Sequence, residues 1–155
     1  MLIVDRANPE DAEEILLVQK LAFQRIATRL RKPELPPLTE SLDELLADFG
    51  SCIIAQARWA EQLIGSVRGY AIDDVCEIRR MSVHPQFNGK GIGAALLVDI
   101  EKRFPSADRF ELYTSTENVE AIRLYERHGY AITHTQETQA SGTLVFLAKL
   151  RHAVA

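Results

Sequence analysis

The chain has 155 residues and a net charge of −4 at pH 7, with 46% hydrophobic and 26% charged residues. This length predicts one domain over residues 1–155, large enough to bury a core. No basic run indicates nucleic-acid binding, and no apolar run approaches the roughly 20 residues of a membrane span. The N-terminus lacks the basic and apolar regions of a signal peptide, so we expect a cytoplasmic protein. Two cysteines, Cys52 and Cys76, and scattered histidines predict neither a disulfide framework nor a metal site.

The first third of the chain predicts a strand followed by two helices. Residues 2–4 form a short apolar strand, and Asn8 with the proline after it is typical of a helix start. Ser41 and Glu44 have the spacing of a capping box and indicate a second helix. Three prolines between residues 33 and 37 are interpreted as a surface connection without helix.

The rest of the chain predicts a sheet with two further helices. Short connections predict antiparallel neighbours among three strands, at residues 52–58, 63–72 and 75–83. After them come a helix at 94–104, a strand at 110–114, a helix at 118–128 and hairpin strands at 130–138 and 143–150. The strand at 110–114 follows a helical crossover, so it should run parallel to the strand at 75–83. The predicted fold is α/β in the order βααβββαβαββ, a mostly antiparallel mixed sheet with helices on both faces.

A glycine-dense turn at residues 88–93 joins a strand to the next helix. Its three glycines in five residues allow positive φ and let backbone N–H groups converge. With the unpaired N–H groups and dipole of the helix start, the turn predicts a phosphate or pyrophosphate site, with Lys90 at its edge. Gly89, Gly91 and Ala94 also match a dinucleotide fingerprint. That fold needs an apolar strand before the turn, whereas the strand here carries three charged residues.

A polar stripe is predicted on the helix at residues 118–128. Asn118, Ala121 and Tyr125 fall at i, i+3 and i+7, so their side chains share one face. An amide, a small gap and a phenol in this arrangement suit a ligand that lies along the helix.

Two blocks of sequence together resemble the GCN5-related N-acetyltransferases. The first runs from Glu-Ile-Arg-Arg-Met-Ser-Val-His-Pro at residues 77–85 to Gly-Ala-Ala-Leu-Leu at 93–97. The second is Asn-x-x-Ala-Ile-x-Leu-Tyr-Glu-Arg-His-Gly-Tyr at 118–130. The resemblance spans nearly the whole chain and implies a single N-acetyltransferase domain. It implies direct transfer of an acetyl group from the cosubstrate acetyl-CoA to a primary amine of a small molecule or peptide. Such a family also allows a homodimer.

The resemblance further implies which residues hold the coenzyme. Backbone amides of the turn would bind the pyrophosphate, and the strand before it would pair with the pantetheine arm. The family usually has Arg or Gln where this chain has Asn88, so we expect a lost side-chain contact and weaker coenzyme affinity. The implied cofactor-binding residues are Met81, Ser82, Val83, Asn88, Gly89, Lys90, Gly91, Ile92, Gly93, Ala94, Asn118, Ala121 and Tyr125.

By the same resemblance, Tyr125 gives a proton to the departing thiolate. A phenol pKa near 10 and a thiol pKa near 8.5 make full transfer uphill by about 2 kcal/mol. We therefore expect Tyr125 mainly to donate a hydrogen bond to the developing charge.

The acceptor amine needs a general base, since freeing a lysine-like amine of its proton at pH 7 costs about 4.6 kcal/mol. Glu77 is the first candidate, because some family members place a catalytic glutamate there. The alternative is a strand carboxylate that is solvated or paired with Arg79 or Arg80. Weaker candidates for the base are Ser82, His84 and Glu111.

The resemblance locates the acceptor site at residues 23–38 and 136–142. Cations near the end of the first helix, Arg29, Arg31 and Lys32, either meet an acidic acceptor or are solvated helix-end charges.

Two other functions fit part of the sequence: a catalytically silent acyl-CoA-binding regulatory module, and a nucleotide-binding domain of dinucleotide type.

Overall fold

A computed structural model of the chain describes residues 1–151. Within this range the strands are β1 (Leu2–Arg6), β2 (Ile53–Trp59), β3 (Gln62–Ile72), β4 (Val75–Val83), β5 (Arg109–Ser115), β6 (Ala131–Thr138) and β7 (Gly142–Leu150). The helices are α1 (Ala12–Leu30), α2 (Pro36–Thr39), α3 (Leu42–Asp48), α4 (Ile92–Lys102) and α5 (Val119–Arg127). None of these helices combines the length and the apolar character needed to cross a bilayer.

The seven strands form one mixed sheet in the order β1-β2-β3-β4-β5-β7-β6. Every neighbouring pair is antiparallel except β4 and β5, which are parallel. The predicted sheet and its one parallel pair are therefore confirmed. Helix α4 begins at Ile92, two residues before the predicted start, because Gly91 adopts a left-handed conformation (φ 78°) and serves as its N-cap.

Helices α1 and α4 cover opposite faces of the sheet. Successive side chains of a strand point to opposite faces of the sheet, so two neighbouring residues of β2 show which helix packs on each face. Ile54 belongs to a buried cluster with Ile15 of α1, whereas Ala55 belongs to a cluster with Leu96 of α4. This confirms the predicted arrangement of helices on both faces.

One sequence prediction is wrong: the proline-rich segment before α3 contains a helix. Helix α2 starts with Pro36 and Pro37, and Pro37 is buried. Proline is excluded from helix interiors, but the first turn needs no N–H from its residues and suits the fixed φ of proline. The chain therefore has three α-helices, not two, between β1 and β2.

A buried polar cluster ties α1, β3 and the end of α2 together. The Arg68 guanidinium donates to both Glu40 oxygens, Nη2 to Oε1 at 2.5 Å and Nη1 to Oε2 at 2.9 Å, and also to Asp48 Oδ2 at 2.9 Å. Gln19 Nε2 donates to the Pro37 carbonyl and to Glu40 Oε1, both at 3.0 Å. Buried charges are tolerated when they are paired and hydrogen-bonded in this way, so the cluster fixes α2 against the sheet.

The sheet opens at its centre. The β4–β5 ladder ends at Ile78 and Leu112. The pairing of β4 with β3 shifts register between Ser66 and Arg68, opposite Arg80, whose φ of 57° marks a bulge. Beyond these points the β5-facing edge of residues 79–83 has no strand partner within the described residues, and a cleft forms between the two strands.

Candidate active site

The cleft between β4 and β5 has a volume of about 160 Å³. Its walls come from the bulged end of β4, from the end of β5 with the start of α5, and from α1 with α2. The residues that line it are Phe23, Ile26, Leu35, Pro36, Pro37, Ile78, Arg79, Arg80, Met81, Tyr113, Thr114, Ser115, Asn118, Ala121, Tyr125, Ser141 and Leu144. Four predicted site residues therefore lie together here: Met81, Asn118, Ala121 and Tyr125.

The glycine turn forms an open cradle of main-chain N–H groups after β4. Gly89 and Gly91 have φ of 76° and 78°, and a Cβ built on either residue would meet nothing within 4 Å. Residues 89–94 have no hydrogen-bond acceptor for their N–H groups within the described part of the chain, since the first bond of the helix is from Ala95 N–H to the Gly91 carbonyl at 3.0 Å. Six consecutive donors at a helix start form a suitable site for an anionic phosphate group.

Some predicted coenzyme residues have side chains that face the core. Ser82 and Ile92 are 1% and 5% exposed, so only their main-chain atoms are available to a ligand. At position 93 the glycine is required by packing rather than by a positive φ, because a Cβ there would lie 3.0 Å from Leu124 Cδ2 on α5. The glycine thus lets α4 approach α5 closely. The Asn88 N–H donates to the Pro85 carbonyl at 3.3 Å, so only the exposed side chain of this predicted coenzyme residue is free to meet a ligand.

The polar stripe on α5 is built around the helix start. Asn118 is the N-cap: its Oδ1 accepts from Ala121 N–H at 3.4 Å, and its Nδ2 donates to Thr114 Oγ1 at 3.3 Å. These bonds orient the amide beside β5 at the edge of the cleft. Tyr125, two turns along the same face, is 4% exposed and packs against the Tyr130 ring with centroids 6.0 Å apart.

Tyr125 is suited to donating a proton in a hydrogen bond. Its hydroxyl has no hydrogen-bond partner among residues 1–151, and the residue lines the cleft. Burial raises the pKa of Tyr125 above its ordinary value, since an apolar environment disfavours the phenolate. The phenol therefore stays protonated at neutral pH, and complete proton transfer from it becomes more costly.

Glu77 lies outside this cleft. It lines a neighbouring hollow with Glu111, His134 and Phe146. Its Oε1 accepts from Arg79 Nη2 at 2.5 Å, so the structure contains the predicted alternative to a catalytic role, an ion pair with a neighbouring arginine. The structure thus brings Tyr125 together with the predicted coenzyme residues Met81, Asn118 and Ala121 but does not place Glu77 in the same cleft.

The weaker base candidates have partners of their own. Glu111 Oε2 accepts from Arg109 Nε at 2.7 Å, and the Ser82 hydroxyl donates to the Arg80 carbonyl at 3.1 Å. His84 Nδ1 accepts from Gln86 N–H at 3.1 Å and caps the short turn before the glycines. A structural reason for each of these side chains is therefore visible.

The thiols are poorly suited to carry an acyl group. Cys76 is fully buried, and burial raises its pKa to about 12. Burial likewise raises the pKa of the partly buried Cys52 to about 11. Thiolates are the nucleophilic form, so neither thiol is activated as a nucleophile at neutral pH.

The cleft also contains residues that individual sequence motifs did not reveal. Phe23, Ile26, Leu35 and Pro37 form an apolar wall within the predicted segment 23–38, and Ser141 comes from the predicted hairpin loop. At the end of α1, Arg29 Nη1 donates to the Glu117 carbonyl at 3.2 Å and Lys32 Nζ to the Gln139 carbonyl at 2.7 Å. These two predicted cations thus connect α1 to the loops on the far side of the cleft.

Arg79 and Arg80 also line the cleft and were missed as site residues. They were visible in the sequence only as charges in a strand. The backbone bulge that brings Arg80 into the cleft has no sequence signal, because its φ of 57° occurs at an arginine rather than a glycine.

The sequence pattern of the acetyltransferase (GNAT) family matches residues 19–130, and the chain belongs to this family. Among curated proteins, it is 30% identical over 134 residues to UPF0157 protein YqkA of Bacillus subtilis, a match that covers 86% of this chain and 38% of YqkA. It is 38% identical over 72 residues to the spore coat polysaccharide biosynthesis protein SpsD of the same organism, covering 44% of this chain and 25% of SpsD. The chain thus matches less than half the length of these relatives.

Solved structures share the fold over nearly the whole chain. The PaiA N-acetyltransferase from Thermoplasma acidophilum, in complex with coenzyme A, has a TM-score of 0.80 at 18% identity and covers 97% of this chain and 99% of its own. The ribosomal-protein-S18-alanine N-acetyltransferase from Escherichia coli has a TM-score of 0.76 at 16% identity, with coverage of 100% and 97%. At these identities the likeness establishes the GNAT fold.

Proposed function

We propose that the protein is an acetyl-CoA-dependent N-acetyltransferase that moves the acetyl group directly to a primary amine of a small molecule or peptide. One observation carries this proposal: Met81, Asn118, Ala121 and Tyr125, all assigned to the coenzyme, line a single cleft whose opposite wall is apolar and free for an acceptor. Membership of the acetyltransferase family and the coenzyme A complex of the PaiA structure support acetyl-CoA as the cosubstrate.

In this proposal the coenzyme is bound mainly by main-chain atoms. The N–H groups of residues 89–94 bind the pyrophosphate, because they are donors without protein acceptors at a helix start. The pantetheine arm takes the place of the missing strand partner along residues 79–83, where β4 has left β5. Its amides can then satisfy backbone groups that the opened sheet leaves unpaired.

The chemical step is a direct transfer. The neutral amine nitrogen attacks the thioester carbonyl carbon, a C–N bond forms, and the C–S bond breaks with its electron pair going to sulfur. The Tyr125 hydroxyl donates a hydrogen bond to the sulfur as this charge develops. Since burial raises the pKa of Tyr125, its proton remains shared with the thiolate rather than fully transferred.

The amine proton leaves to a base, and Glu77 is the residue we propose. Arg79, its ion-pair partner, lines the cleft, whereas Glu77 lies in the adjoining hollow. The proton would therefore pass through water to the carboxylate, a route available to a general base that is not in direct contact.

Two measurements test the proposed function. Acetyl-CoA at 100 times its Kd should stabilise the protein by about 2.7 kcal/mol, while NAD should not. Thiol release from acetyl-CoA should then depend on an added amine. Stabilisation by acetyl-CoA without amine-dependent thiol release over a broad panel would instead identify a silent acyl-CoA-binding module, and stabilisation by NAD would identify a dinucleotide-binding domain.

A further inference from the structure

We propose that the acceptor is a carboxylate-bearing amine with an apolar body, and that Arg80 binds its carboxylate. This inference rests on the proposed acetyl transfer and names the chemical class of its acceptor. Arg80 lies at the bulge of β4 and lines the same cleft as the apolar wall and the predicted coenzyme residues.

The charges of the cleft favour an anion. Its lining contains two arginines, Arg79 and Arg80, and no aspartate or glutamate among the described residues. Arg79 is neutralised by Glu77 at 2.5 Å. The Arg80 side chain forms no ion pair or hydrogen bond within residues 1–151, so one positive charge in the cleft lacks a direct partner. A cationic acceptor would find no carboxylate in this lining.

The acids near Arg80 are occupied. Glu40 is close enough to act on Arg80 electrostatically, but Arg68 binds both of its oxygens, at 2.5 and 2.9 Å. Arg68 also binds Asp48 at 2.9 Å. Burial lowers the pKa of Arg80, because a desolvated charge is disfavoured, yet a guanidinium remains protonated in proteins. A ligand carboxylate would compensate this desolvation with two parallel N–H···O bonds.

The backbone conformation of Arg80 also supports a role in ligand binding. A φ of 57° is unfavourable for any residue with a Cβ, and such conformations persist where the surrounding structure imposes them. Here the conformation makes the bulge at which β4 separates from β5, and Arg80 lines the cleft that forms there.

The apolar wall defines the rest of the acceptor. Phe23, Ile26, Leu35 and Pro37 face the cleft beside the arginines. A ligand that fills this wall and also presents a carboxylate and an amine has the composition of an apolar amino acid. Leucine and phenylalanine are therefore the probes, and leucinamide and phenylalaninamide, which lack the carboxylate, are their matched neutral partners.

The test measures binding, so it does not depend on turnover. Calorimetric titration of the four probes into the protein saturated with CoA should show the carboxylates binding at least about tenfold tighter than the amides. Arg80→Gln should abolish this ratio, and Arg80→Lys should retain part of it. Arg6→Gln, an exposed arginine on the edge strand β1, changes the net charge equally and should leave the ratio unchanged. Because the amides also have less basic amines, each variant's ratio is compared with that of the unmodified protein, which cancels this difference.

The outcomes separate the two proposals. Equal binding of acids and amides, no binding of either to the CoA complex, or an unchanged ratio in Arg80→Gln would each overturn the role of Arg80 and leave acetyl transfer standing. Failure to bind acetyl-CoA at all would contradict the proposed function itself. If Arg80→Gln does not fold, Arg80→Lys provides the comparison, and a ratio of acid to amide affinity unchanged from that of the unmodified protein would then overturn the role of Arg80.

Discussion

Ile78 and Leu112 form the last paired position of the parallel β4–β5 ladder, and the cleft begins directly beyond them. Within the described chain, this is the one place where two neighbouring strands of the sheet separate while both continue. β4 runs on for five residues to Val83 and β5 for three to Ser115. The opened edge supplies the backbone groups for a ligand, and the residues that follow each strand supply the glycine turn and the stripe on α5.

Replacing Tyr125 by phenylalanine should lower kcat by about 100-fold, the loss typical of removing one transition-state hydrogen-bond donor. The Kd for acetyl-CoA should change less than twofold, because the ring and its packing against Tyr130 remain. Thiol-release kinetics and calorimetry measure the two effects. Since burial raises the pKa of Tyr125, the phenol keeps its proton as pH rises to 10, and no loss of activity below pH 10 should come from it.

A matched tyrosine provides the control for this variant. Tyr130 lies next to Tyr125 in the core, but its hydroxyl donates to Glu101 Oε2 at 2.6 Å and it does not line the cleft. Tyr130→Phe should lower the midpoint of thermal unfolding while kcat stays within about twofold. Equal turnover in Tyr125→Phe and the unmodified protein would show that Tyr125 takes no part in the proposed reaction.

Glu77→Gln should lower kcat/KM and flatten the rise of kcat/KM with pH, if the Glu77 carboxylate accepts the amine proton. The matched variant Glu111→Gln changes the facing carboxylate of the same hollow. Profiles of kcat/KM against pH for both variants show which of the two carboxylates acts as the base. A profile altered only in Glu111→Gln would transfer the role to Glu111, and two unaltered profiles would exclude both carboxylates.

Local patterns predicted most of the fold. Apolar alternation and short connections located β4 at its observed bounds, 75–83, and the helical crossover predicted its parallel pairing with β5. Helix α2 was missed because a run of prolines is usually a signal against helix, and only tertiary contacts such as the bond from Gln19 to the Pro37 carbonyl show that the segment packs. In the sequence, prolines in the first turn of a helix cannot be distinguished from prolines in a loop.

The candidate site was only partly predicted, because a sequence pattern reveals local features but not long-range packing. Glycines and the spacing of Asn118 and Tyr125 are visible along the chain, whereas the approach of α1 to the cleft depends on long-range packing. The bulge at Arg80 depends on register between β3 and β4, which no single residue specifies. Glu77 and Met81 are close in sequence, yet they line different cavities because the bulge lies between them.

Gly91→Ala should weaken acetyl-CoA binding about tenfold and lower the free energy of unfolding by about 1 kcal/mol. The cause is backbone strain, because Gly91 has φ of 78° and a Cβ there meets no protein atom within 4 Å. A relaxed backbone would also turn the N–H groups of the cradle away from a common point. Calorimetry with acetyl-CoA and chemical denaturation measure the two quantities.

Gly50→Ala is the control for that loss. Gly50 follows α3, has no left-handed φ, and its Cβ would lie 3.5 Å from the Ala47 carbonyl oxygen, an ordinary contact. Its substitution should leave the affinity for acetyl-CoA unchanged. Unchanged affinity in Gly91→Ala as well would show that the turn does not hold the diphosphate.

Glu40→Gln should destabilise the protein by about 2 kcal/mol at pH 7, because it removes the carboxylate that binds both Nη atoms of the 3%-exposed Arg68 side chain and leaves Asp48 as the remaining ion-pair partner. Burial alone would raise the pKa of Glu40, but hydrogen bonds from Arg68 and Gln19 outweigh it and lower the pKa below its usual 4.5. A lowered folded-state pKa means that the ionised carboxylate stabilises the fold above pH 4.5, and that this contribution is lost as pH falls through the folded-state pKa.

The difference in unfolding free energy between Glu40→Gln and the unmodified protein should therefore be largest near neutral pH and shrink under acid conditions. Denaturant unfolding at a series of pH values from 7 downwards measures it. Glu34→Gln, an exposed glutamate in the same connection, should show no such difference at any pH. A destabilisation that does not change with pH would contradict this prediction. It would show that the variant loses packing or a neutral hydrogen bond, because an interaction of the ionised carboxylate must weaken as Glu40 is protonated.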